Sequence, residues 1–423
     1  MTASDRTGGR RTPAAPPRDA FAGIRVADFA WVGVGPLTSK YLADHGAEVI
    51  RLESRTRPEA LRRAPPFAGG QPGQDRSGYY ANFNSSKLGA GLNMSHPRAV
   101  ELAKRVIAGC DVVTESFTPK AMRAWGLTYE ALREVRPDVI MISMPLYGAT
   151  GPWSMYQGYG HVLQAASGIN HMTGYRDGEP IGTGIAYTDF FVPHLAAAAL
   201  IAALDHRERT GEGQHIDFGQ MEAAIYATET MMLDYTVNGR EQRRDGNRHP
   251  QGAPHGAFRC APRGDDDDRW IAVACFDDGE WAALCGVLGV EGLCADPRFA
   301  TPEGRKRHED ALEAAVGART RGWQAEELMA RLQAAGVPAG VAQTCEDLRA
   351  DAQLAHRGHY WLLDHPEMGR CAYDGPSFRL SRTPGRLSKA APLLGADNEY
   401  VYRDLVGLSE QEFIELLAGG AFD

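Results

Sequence analysis

One segment near the amino terminus restricts the possible folds more than any other. Residues 24–29 are largely apolar, and a turn that contains Gly33 and Gly35 follows them. Residues 37–45 then show helical spacing, and residues 47–52 form a second apolar run. A strand, a helix and another strand in so short a segment are the pattern of a parallel β-α-β unit. The sequence therefore predicts an α/β fold built on a parallel sheet.

The same alternation continues to about residue 225. Residues 96–108 and 129–135 have apolar positions at helical spacing, and apolar runs occur at 112–113 and 139–144. The longest helix is expected to begin at residue 189 or 190 and to contain an alanine-rich stretch, which favours helix and close packing. This part of the chain predicts a large Rossmann-like domain.

Composition changes between about residues 238 and 268, where glycine, proline and charged residues crowd together. Such a change is typical of a linker into a second domain. In it, residues 270–274 are expected to form a strand. The predicted organisation is a flexible tail (1–21), a large Rossmann-like domain that binds a cofactor-sized ligand (22–225), a linker (226–245), a smaller α+β domain (246–335), and a return segment that completes the large domain (336–423).

Charge and cysteine content exclude several classes of protein. The 423 residues include 45 Lys and Arg against 54 Asp and Glu, and the formal net charge of −9 argues against broad nucleic-acid binding. The seven cysteines form no Cys-x-x-Cys pair, which predicts free thiols in a reducing compartment and no zinc site. The first twenty residues lack the apolar core of a secretory signal, and no uninterrupted apolar run reaches eighteen residues. We therefore expect a cytoplasmic protein without a membrane span.

The first turn offers one weak motif. Gly33 and Gly35 after a strand resemble the start of a dinucleotide fingerprint, but Thr38 stands where the third glycine belongs. Nor does the loop match the phosphate loop that ends in Lys-Ser/Thr. Nicotinamide and nucleoside-triphosphate binding are therefore disfavoured.

Four segments, taken in order, form a more specific pattern. They are Gly23–Phe29 with Gly35-Pro36 and Leu42–Glu53; Glu115–Phe117 with Pro119 and Gly126–Tyr129; Gln164–Gly168 with Thr173, Gly174, Gly184, Asp189 and Arg209–Asp217; and Ala391–Gly395. Their order and spacing resemble the CaiB/BaiF family, the class III CoA-transferases that include formyl-CoA transferase. The resemblance extends over about residues 22–420. It implies a Rossmann-like large domain, a smaller α+β domain and an interlocked homodimer whose sites lie at the subunit junction.

The resemblance puts Asp189 at the position of the family's catalytic aspartate. Transfer of CoA between two carboxylates calls for a third carboxylate as nucleophile. Asp189 is therefore expected to form an acyl-aspartyl anhydride and then an aspartyl-CoA thioester, from which CoA passes to a free carboxylic acid. The implied partners are an acyl-CoA and an acceptor acid, with no metal and no further cofactor. A plain helix N-cap is the structural alternative for Asp189.

The resemblance also implies a set of CoA contacts near the first turn and the end of the second strand. Lys and Arg suit the phosphates, and aromatic rings can cover the adenine. The implied contacts are Trp31, Val32, Gly33, Val34, Arg51, Arg55, Lys87, Ser116, Phe117, Arg123 and Tyr147. Near residue 85, two phosphate-pairing arginines common in the family are absent, which argues against formyl-CoA as the donor.

Two alternatives stay open at this point. Gly160-His161 matches the glycine–histidine pair of α-methylacyl-CoA racemases in the same family, in which two acid–base groups pass a proton at an α-carbon. Val162 stands where those enzymes usually have Asp, which favours the transferase. A racemase that uses His161 and Asp189 is the first alternative, and an inactive CoA-binding partner subunit is the second.

Overall fold

The computed structural model describes residues 19–423. Within that range the strands are β1 Arg25–Asp28, β2 Glu48–Glu53, β3 Leu88–Gly91, β4 Val112–Glu115, β5 Ile140–Ser143, β6 His215–Asp217, β7 His255–Arg259, β8 Trp270–Ala274, β9 Ala339–Val341, β10 Tyr360–His365 and β11 Gly369–Asp374. The helices are α1 Val34–Ala43, α2 Gly78–Phe83, α3 Ala99–Ala108, α4 Pro119–Ala124, α5 Tyr129–Arg133, α6 Gly160–Ala166, α7 Ile169–Met172, α8 Tyr187–Thr210, α9 Gln220–Ile225, α10 Glu229–Asn238, α11 Asp278–Leu288, α12 Glu291–Cys294, α13 Pro302–Arg307, α14 Glu309–Thr320, α15 Ala325–Ala334, α16 Cys345–Ala350, α17 Ala352–Arg357 and α18 Glu410–Ala418. Short 3₁₀ turns occur at Ala60–Arg63, Ala68–Gly70 and Tyr226–Thr228, and a π-helical turn at Tyr400–Leu405.

The large sheet contains six parallel strands in the order β3-β2-β1-β4-β5-β6. This is the strand order of a doubly wound Rossmann fold, in which the chain reverses direction across the sheet between β1 and β4. The predicted fold class is therefore confirmed: a mixed α/β chain with a parallel sheet, beside a small antiparallel sheet.

Alternating side chains cover the two faces of the large sheet. In β1, Val26 packs on the face covered by α1 and α8, and Ala27 packs on the face covered by α3. In β2, Val49 and Ile50 divide in the same way. Successive residues of a strand point to opposite faces, so a strand that is buried on both sides is apolar throughout rather than at alternate positions.

The longest helix, α8, contains 24 residues and is apolar and long enough to cross a membrane. This is weak evidence for a span, because a core helix of a globular protein meets the same test. In this structure α8 packs against α1, and Val192, Ala196 and Leu200 are fully buried in the core under the sheet.

The chain divides into two compact units. The first contains residues up to Ser167, Gly184–Glu229 and Gln353–Asp423, and the second contains Gly168–Thr183 and Thr230–Ala352. The smaller unit contains the whole range 246–335 predicted for the smaller domain, together with residues on either side of it and residues 168–183. There, Gly246 N donates to Gly174 O at 2.8 Å.

The smaller unit contains the antiparallel sheet β7-β8-β9. Its core is formed by Phe258 and Ile271 from the strands and by Trp281, Leu312 and Leu328 from three helices. The smaller unit therefore has a hydrophobic core of its own.

Of the predicted tail, residues 1–18 lie outside the described range. Residues 19–21 belong to the large unit. Phe21 N donates to His45 O at 3.0 Å, and Asp19 pairs with Arg386 at 3.0 Å. Residues 19–21, which the sequence assigned to the flexible tail, therefore contact the large unit.

A buried group of charges lies under the carboxyl ends of β1 and β2. The Arg51 guanidinium donates to Asp28 at 3.3 Å, Glu53 at 2.9 Å and Glu59 at 3.1 Å. Lys87 Nζ donates to the second Asp28 oxygen at 3.0 Å. All five side chains are at most 4% exposed. Ions in such a setting depend on their partners, because removing one leaves another charge buried and uncompensated.

The charges in this group shift one another's pKa values. Burial raises the pKa of Asp28, but Lys87 and Arg51 outweigh that effect and hold it below its usual value. In Glu53, Arg62 and Arg51 similarly overcome burial and lower the pKa to about 2. Burial lowers the pKa of Lys87 to about 8, despite the neighbouring Asp28. Asp28 and Glu53 therefore stay ionised inside the protein because of the cations beside them, whereas burial raises the pKa of Glu59 above its usual value despite Arg51.

Removing the central cation tests this dependence. We expect Arg51→Met to lower the free energy of unfolding by about 3–5 kcal/mol, because Asp28 and Glu59 lose a buried partner. Urea unfolding followed by tryptophan fluorescence measures the change. The matched control is Arg209→Met, which breaks an exposed pair with Asp205 on α8 and should change stability by less than about 1 kcal/mol. Equal losses in the two variants would contradict the dependence.

Candidate active site

Two cavities open at the carboxyl ends of the parallel strands. Cavity A, about 460 Å³, is lined by the segments that follow β1, β4 and β5, together with Tyr156–Gly160, Asp189 and Gln220. Cavity B, about 250 Å³, is lined by the segments that follow β1, β2 and β3, together with Phe117, Ala121 and Trp125. The strand order reverses between β1 and β4, and ligands of open α/β sheets bind at this point.

Asp189 lies in the first turn of α8 and forms part of the wall of cavity A. Two glycines enclose its carboxylate. A β-carbon added to Gly33 would lie 2.5 Å from Asp189 Oδ2, and one added to Gly160 would lie 2.5 Å from Oδ1. Real β-carbons do not approach so closely, so the carboxylate fits only because both neighbours lack a side chain.

Burial dominates the electrostatics of Asp189. The side chain is 4% exposed, and burial raises its pKa to about 6, while the charge of His161 acts in the opposite direction. No hydrogen bond within residues 19–423 reaches this carboxylate, so nothing compensates for the lost water. Asp189 is also not the N-cap of α8; that residue is Ala186, which makes no side-chain cap bond.

Pro193 adds a local irregularity to the same turn. It lies inside α8, four residues after Asp189. Proline has no N–H, so the Asp189 carbonyl lacks its normal helical donor. The backbone at Asp189 is therefore held less tightly than the rest of the helix.

The loop that faces Asp189 is fixed by two side chains. Ser116 Oγ accepts from Trp31 N at 2.8 Å and donates to Trp31 O at 3.0 Å. Glu59 Oε1 accepts from Val32 N at 2.8 Å. Gly33 follows as the N-cap of α1, whose first-turn N–H groups have no intrahelical acceptor. This end of α1 therefore offers backbone donors beside the carboxylate.

Two further titratable side chains lie near Asp189. His161 is exposed and follows Gly160 directly, and its charge lowers the pKa of Asp189. Tyr79 is half-buried; burial raises its pKa, and the negative charges of Asp189 and Glu59 raise it further. The site therefore has one carboxylate on the cavity wall, with an imidazole and a phenol within electrostatic range.

Six of the predicted CoA contacts line cavity A: Trp31, Val32, Gly33, Val34, Ser116 and Phe117. Trp31 and Phe117 also line cavity B, where their rings meet edge to face at 5.5 Å. Tyr147 lies beside cavity A, with its ring 6.2 Å from that of Tyr156, which lines the cavity. The loop after β1 and the loop after β4 thus line the same cavity, which is large enough for a ligand.

The predicted basic contacts lie elsewhere. Arg51 and Lys87 have no exposed surface and pair with the buried carboxylates, so neither can meet a phosphate as the resemblance implied. Arg55 and Arg123 lie outside the lining of both cavities. Arg55 Nη2 donates to Leu394 O at 3.3 Å, and Arg123 Nε donates to Pro119 O at 3.0 Å. The sequence could not separate these cases, because all four are basic residues next to strand ends or helix turns.

Several lining residues were not predicted from the sequence. Arg57 and Trp125 line cavity B, and Gly160 and Gln220 line cavity A. One sequence signal could have identified Arg57: it follows the end of β2, where the resemblance places the nucleotide of CoA. Gly160 was noted in the sequence only as the neighbour of His161, and its close approach to the Asp189 carboxylate is a tertiary contact.

Comparison with known proteins identifies the family. Residues 21–398 match the family model of CoA-transferase family III. The chain belongs to this family. It is 33% identical over 394 residues to the succinate–glutarate CoA-transferase of Agrobacterium fabrum, in an alignment that covers 91% of this chain and 95% of the relative. The predicted family is therefore confirmed, and the chain is a family III CoA-transferase by sequence.

Other family members give the same result. The succinyl-CoA–D-citramalate CoA-transferase of Chloroflexus aurantiacus is 30% identical over 403 residues, covering 95% of this chain and 98% of the relative. The crystal structure of a CaiB/BaiF family protein from Brucella suis matches with a TM-score of 0.84 at 30% identity, covering 92% of this chain and 100% of that chain. These relatives support CoA transfer as the activity of this chain.

The glycines around Asp189 give a steric prediction. We expect Gly33→Ala or Gly160→Ala to reduce CoA transfer by about hundredfold or more, because the new methyl group must displace the carboxylate. Neither glycine has the positive φ that would itself require glycine, so the effect comes from the contact. The control is Gly286→Ala in α11, which meets open space and should leave transfer unchanged. Full activity in both site variants would contradict the geometry.

Proposed function

We propose that this protein transfers coenzyme A from an acyl-CoA to a free carboxylic acid, with Asp189 as the covalent nucleophile. The observation that carries the proposal is the Asp189 carboxylate itself. It is almost fully buried, lies on the wall of cavity A between two glycines, and has no hydrogen-bond partner among the described residues. A carboxylate kept at such an electrostatic disadvantage is unlike a structural N-cap, which would satisfy backbone N–H groups.

The reaction consists of four substitutions at carbonyl carbons. An Asp189 oxygen attacks the thioester carbon, the C–S bond breaks, and CoA leaves as a thiolate with an acyl-aspartyl anhydride behind it. The thiolate attacks the Asp189 carbonyl of the anhydride and releases the donor acid, giving an aspartyl-CoA thioester. The acceptor carboxylate attacks that thioester and expels the thiolate. The thiolate then attacks the acceptor carbonyl, forming the new acyl-CoA and restoring Asp189.

Burial of Asp189 favours this chemistry. A pKa raised to about 6 leaves the carboxylate mostly ionised at neutral pH while increasing its basicity. The anhydride and the thioester on Asp189 are uncharged, so the surroundings that disfavour the anion suit the intermediates better. The free N–H groups at the start of α1 can stabilise an oxyanion that forms beside Gly33.

We further propose that the two cavities divide the CoA molecule between them. Cavity B combines the rings of Trp31, Phe117 and Trp125 with the guanidinium of Arg57, which suits an adenine next to a phosphate. Trp31, Phe117 and Ala121 line both cavities, so a pantetheine arm can pass along them from cavity B to Asp189. Arg57 takes the place that the sequence suggested for Arg51 and Lys87.

Short dicarboxylic acids are the first acceptors to test, because the relatives at 33% and 30% identity are named for succinate, glutarate, succinyl-CoA and D-citramalate. The reaction as written needs neither a metal nor a redox cofactor, because each step exchanges one acyl leaving group for another. We propose that the enzyme works in the cytoplasm, as the cysteine content and the lack of a signal-like apolar segment predicted, and that it is an interlocked homodimer, as the family resemblance implied.

Substitution of Asp189 should abolish CoA transfer and, at the same time, raise the free energy of unfolding. We expect Asp189→Asn to abolish transfer from succinyl-CoA to glutarate, measured by mass spectrometry of the acyl-CoA products. The free energy of unfolding of the same variant at pH 8, measured by urea denaturation, should be about 3 kcal/mol higher, since ionised Asp189 destabilises the folded state above its raised pKa. That gain should shrink as the pH falls from about 6 to about 4 and disappear near pH 3, where Asp189 is protonated in both the folded and the unfolded state.

Retained transfer in Asp189→Asn would overturn the mechanism. The racemase alternative predicts a different product: deuterium from solvent would enter the α-position of a 2-methylacyl-CoA without any acceptor acid, and the signal would depend on His161. An inactive CoA-binding subunit would bind acyl-CoA and give neither product.

The ionisation of Asp189 sets the pH dependence of the first half-reaction. With a pKa of about 6, formation of the covalent intermediate should fall about tenfold from pH 7 to pH 5, measured by rapid quenching of enzyme with acyl-CoA and mass spectrometry of the Asp189 peptide. Because His161 lowers the pKa of Asp189, His161→Gln should move the midpoint to higher pH. A rate that is constant between pH 5 and pH 7 would contradict this assignment.

A further inference from the structure

Val32 has a backbone conformation that its side chain disfavours. Its φ is 65°, in the left-handed region, where a β-branched residue is a genuine outlier. Such a conformation persists only when surrounding contacts impose it, and it is found mostly at functional sites. Val32 directly precedes Gly33, where an added β-carbon would lie 2.5 Å from Asp189 Oδ2. The strained residue thus sets the position of the backbone against the nucleophile.

The contact that imposes this conformation comes from Glu59. Its Oε1 accepts from Val32 N at 2.8 Å, and its Oε2 accepts from Arg51 Nη2 at 3.1 Å. Glu59 is 0% exposed and is absent from the lining of both cavities, so it acts on the site through the loop. Arg51 is itself anchored by Asp28 and Glu53, which fixes the Glu59 carboxylate in place.

The two residues before Gly33 are held in different ways. Trp31 is held by Ser116, which bonds both its N–H and its carbonyl. Val32 has one such bond, the one to Glu59. Without it, rotation of Val32 to an ordinary negative φ would redirect the chain at Gly33, whereas Trp31 would keep its two bonds. The hydrogen bond to Val32 is therefore the contact that ties the strained turn to the buried charges.

We propose that Glu59 is a positioning residue, which holds Val32 in the left-handed conformation and so keeps Gly33 and the start of α1 against Asp189. This inference rests on the proposed role of Asp189 as nucleophile. It assigns Glu59 no contact with the substrate. Its effect should therefore fall on the rate at which bound acyl-CoA acylates Asp189, whatever change in the saturating concentration follows from the movement of Val32 in the wall of cavity A.

A double-mutant cycle on the full-length protein tests the proposal. The variants are Glu59→Met, Val32→Gly and their combination, with succinyl-CoA as the acyl donor and rapid-quench mass spectrometry of the Asp189 peptide as the readout. Glu59 Oε1 accepts from Leu61 N as well as from Val32 N. Methionine has no oxygen that could accept from Val32 N, so Glu59→Met should slow acylation about ten- to hundredfold at saturating donor. Glycine adopts a positive φ freely, so the same change in the Val32→Gly background should have a clearly smaller effect.

Controls separate positioning from lost stability and from failure of the mechanism. Asp44→Asn removes another buried carboxylate of the large unit, one that bonds Lys40, Ser85 and Ser86, and should leave the acylation rate per folded molecule unchanged. Equal effects of Glu59→Met in both Val32 backgrounds, or a change confined to the half-saturating donor concentration, would overturn the proposal. If the wild-type Asp189 peptide carries no adduct, the proposed function fails instead.

Discussion

The fully buried guanidinium of Arg51 links the carboxyl ends of β1 and β2 to the turn that follows β2. It joins Asp28 at the end of β1, Glu53 at the end of β2 and Glu59 in the following turn. Two adjacent strands and the loop that faces the candidate nucleophile are thereby linked by charge in a region that water does not reach. Because a buried ion depends on its partners, none of these segments can move independently of the others.

The site combines one carboxylate that is well compensated with one that is not. Arg62 and Arg51 lower the pKa of Glu53 to about 2, whereas burial raises that of Asp189 to about 6. Both are buried to a similar degree, so the difference lies in the neighbours: cations for the first, and glycines and an exposed imidazole for the second. Groups with such contrasting surroundings are typical of sites where one carboxylate supports structure and the other reacts.

Local sequence signals located the strands with strong apolar patterns and missed others without one, among them β3 and β7. β1 and β2 lie within one residue of their predicted ranges, and β8 matches its range, because apolar runs bounded by turns identify them. β3, Leu-Gly-Ala-Gly, was not predicted. Gly91 is required there by close approach of the backbone, since a β-carbon would lie 2.1 Å from Phe422 O. A contact with a residue so distant in sequence leaves no local pattern to read.

The candidate site was predictable to a similar extent. Asp189 and the loop 31–34 could be identified from family-specific residues, whereas burial decided which basic residues are accessible. Arg51 and Lys87 look like phosphate partners in the sequence, but the fold surrounds them with carboxylates. Conversely, Glu59 has no motif at all, and its contact with Val32 emerges only when two loops meet. The sequence pattern predicts which helix or strand a residue belongs to, but the contacts of its side chain depend on tertiary packing.

The contact between Gly91 and Phe422 also has a consequence for the order in which the protein can be made. The edge of the large sheet at β3 is covered by residues near the end of the described chain. Gly89 N and Gly91 N donate to the side chains of Asp397 and Asn398 at 2.7 Å, and just after β3 Asn93 N donates to Ala421 O at 2.8 Å, with Phe422 buried in the core. A ribosome releases these residues more than three hundred positions after β3. The smaller unit, most of which is one continuous stretch, can complete its core while that stretch is still being extended. The edge of the large sheet at β3 must stay partly uncovered until residues 421–423 have been synthesised.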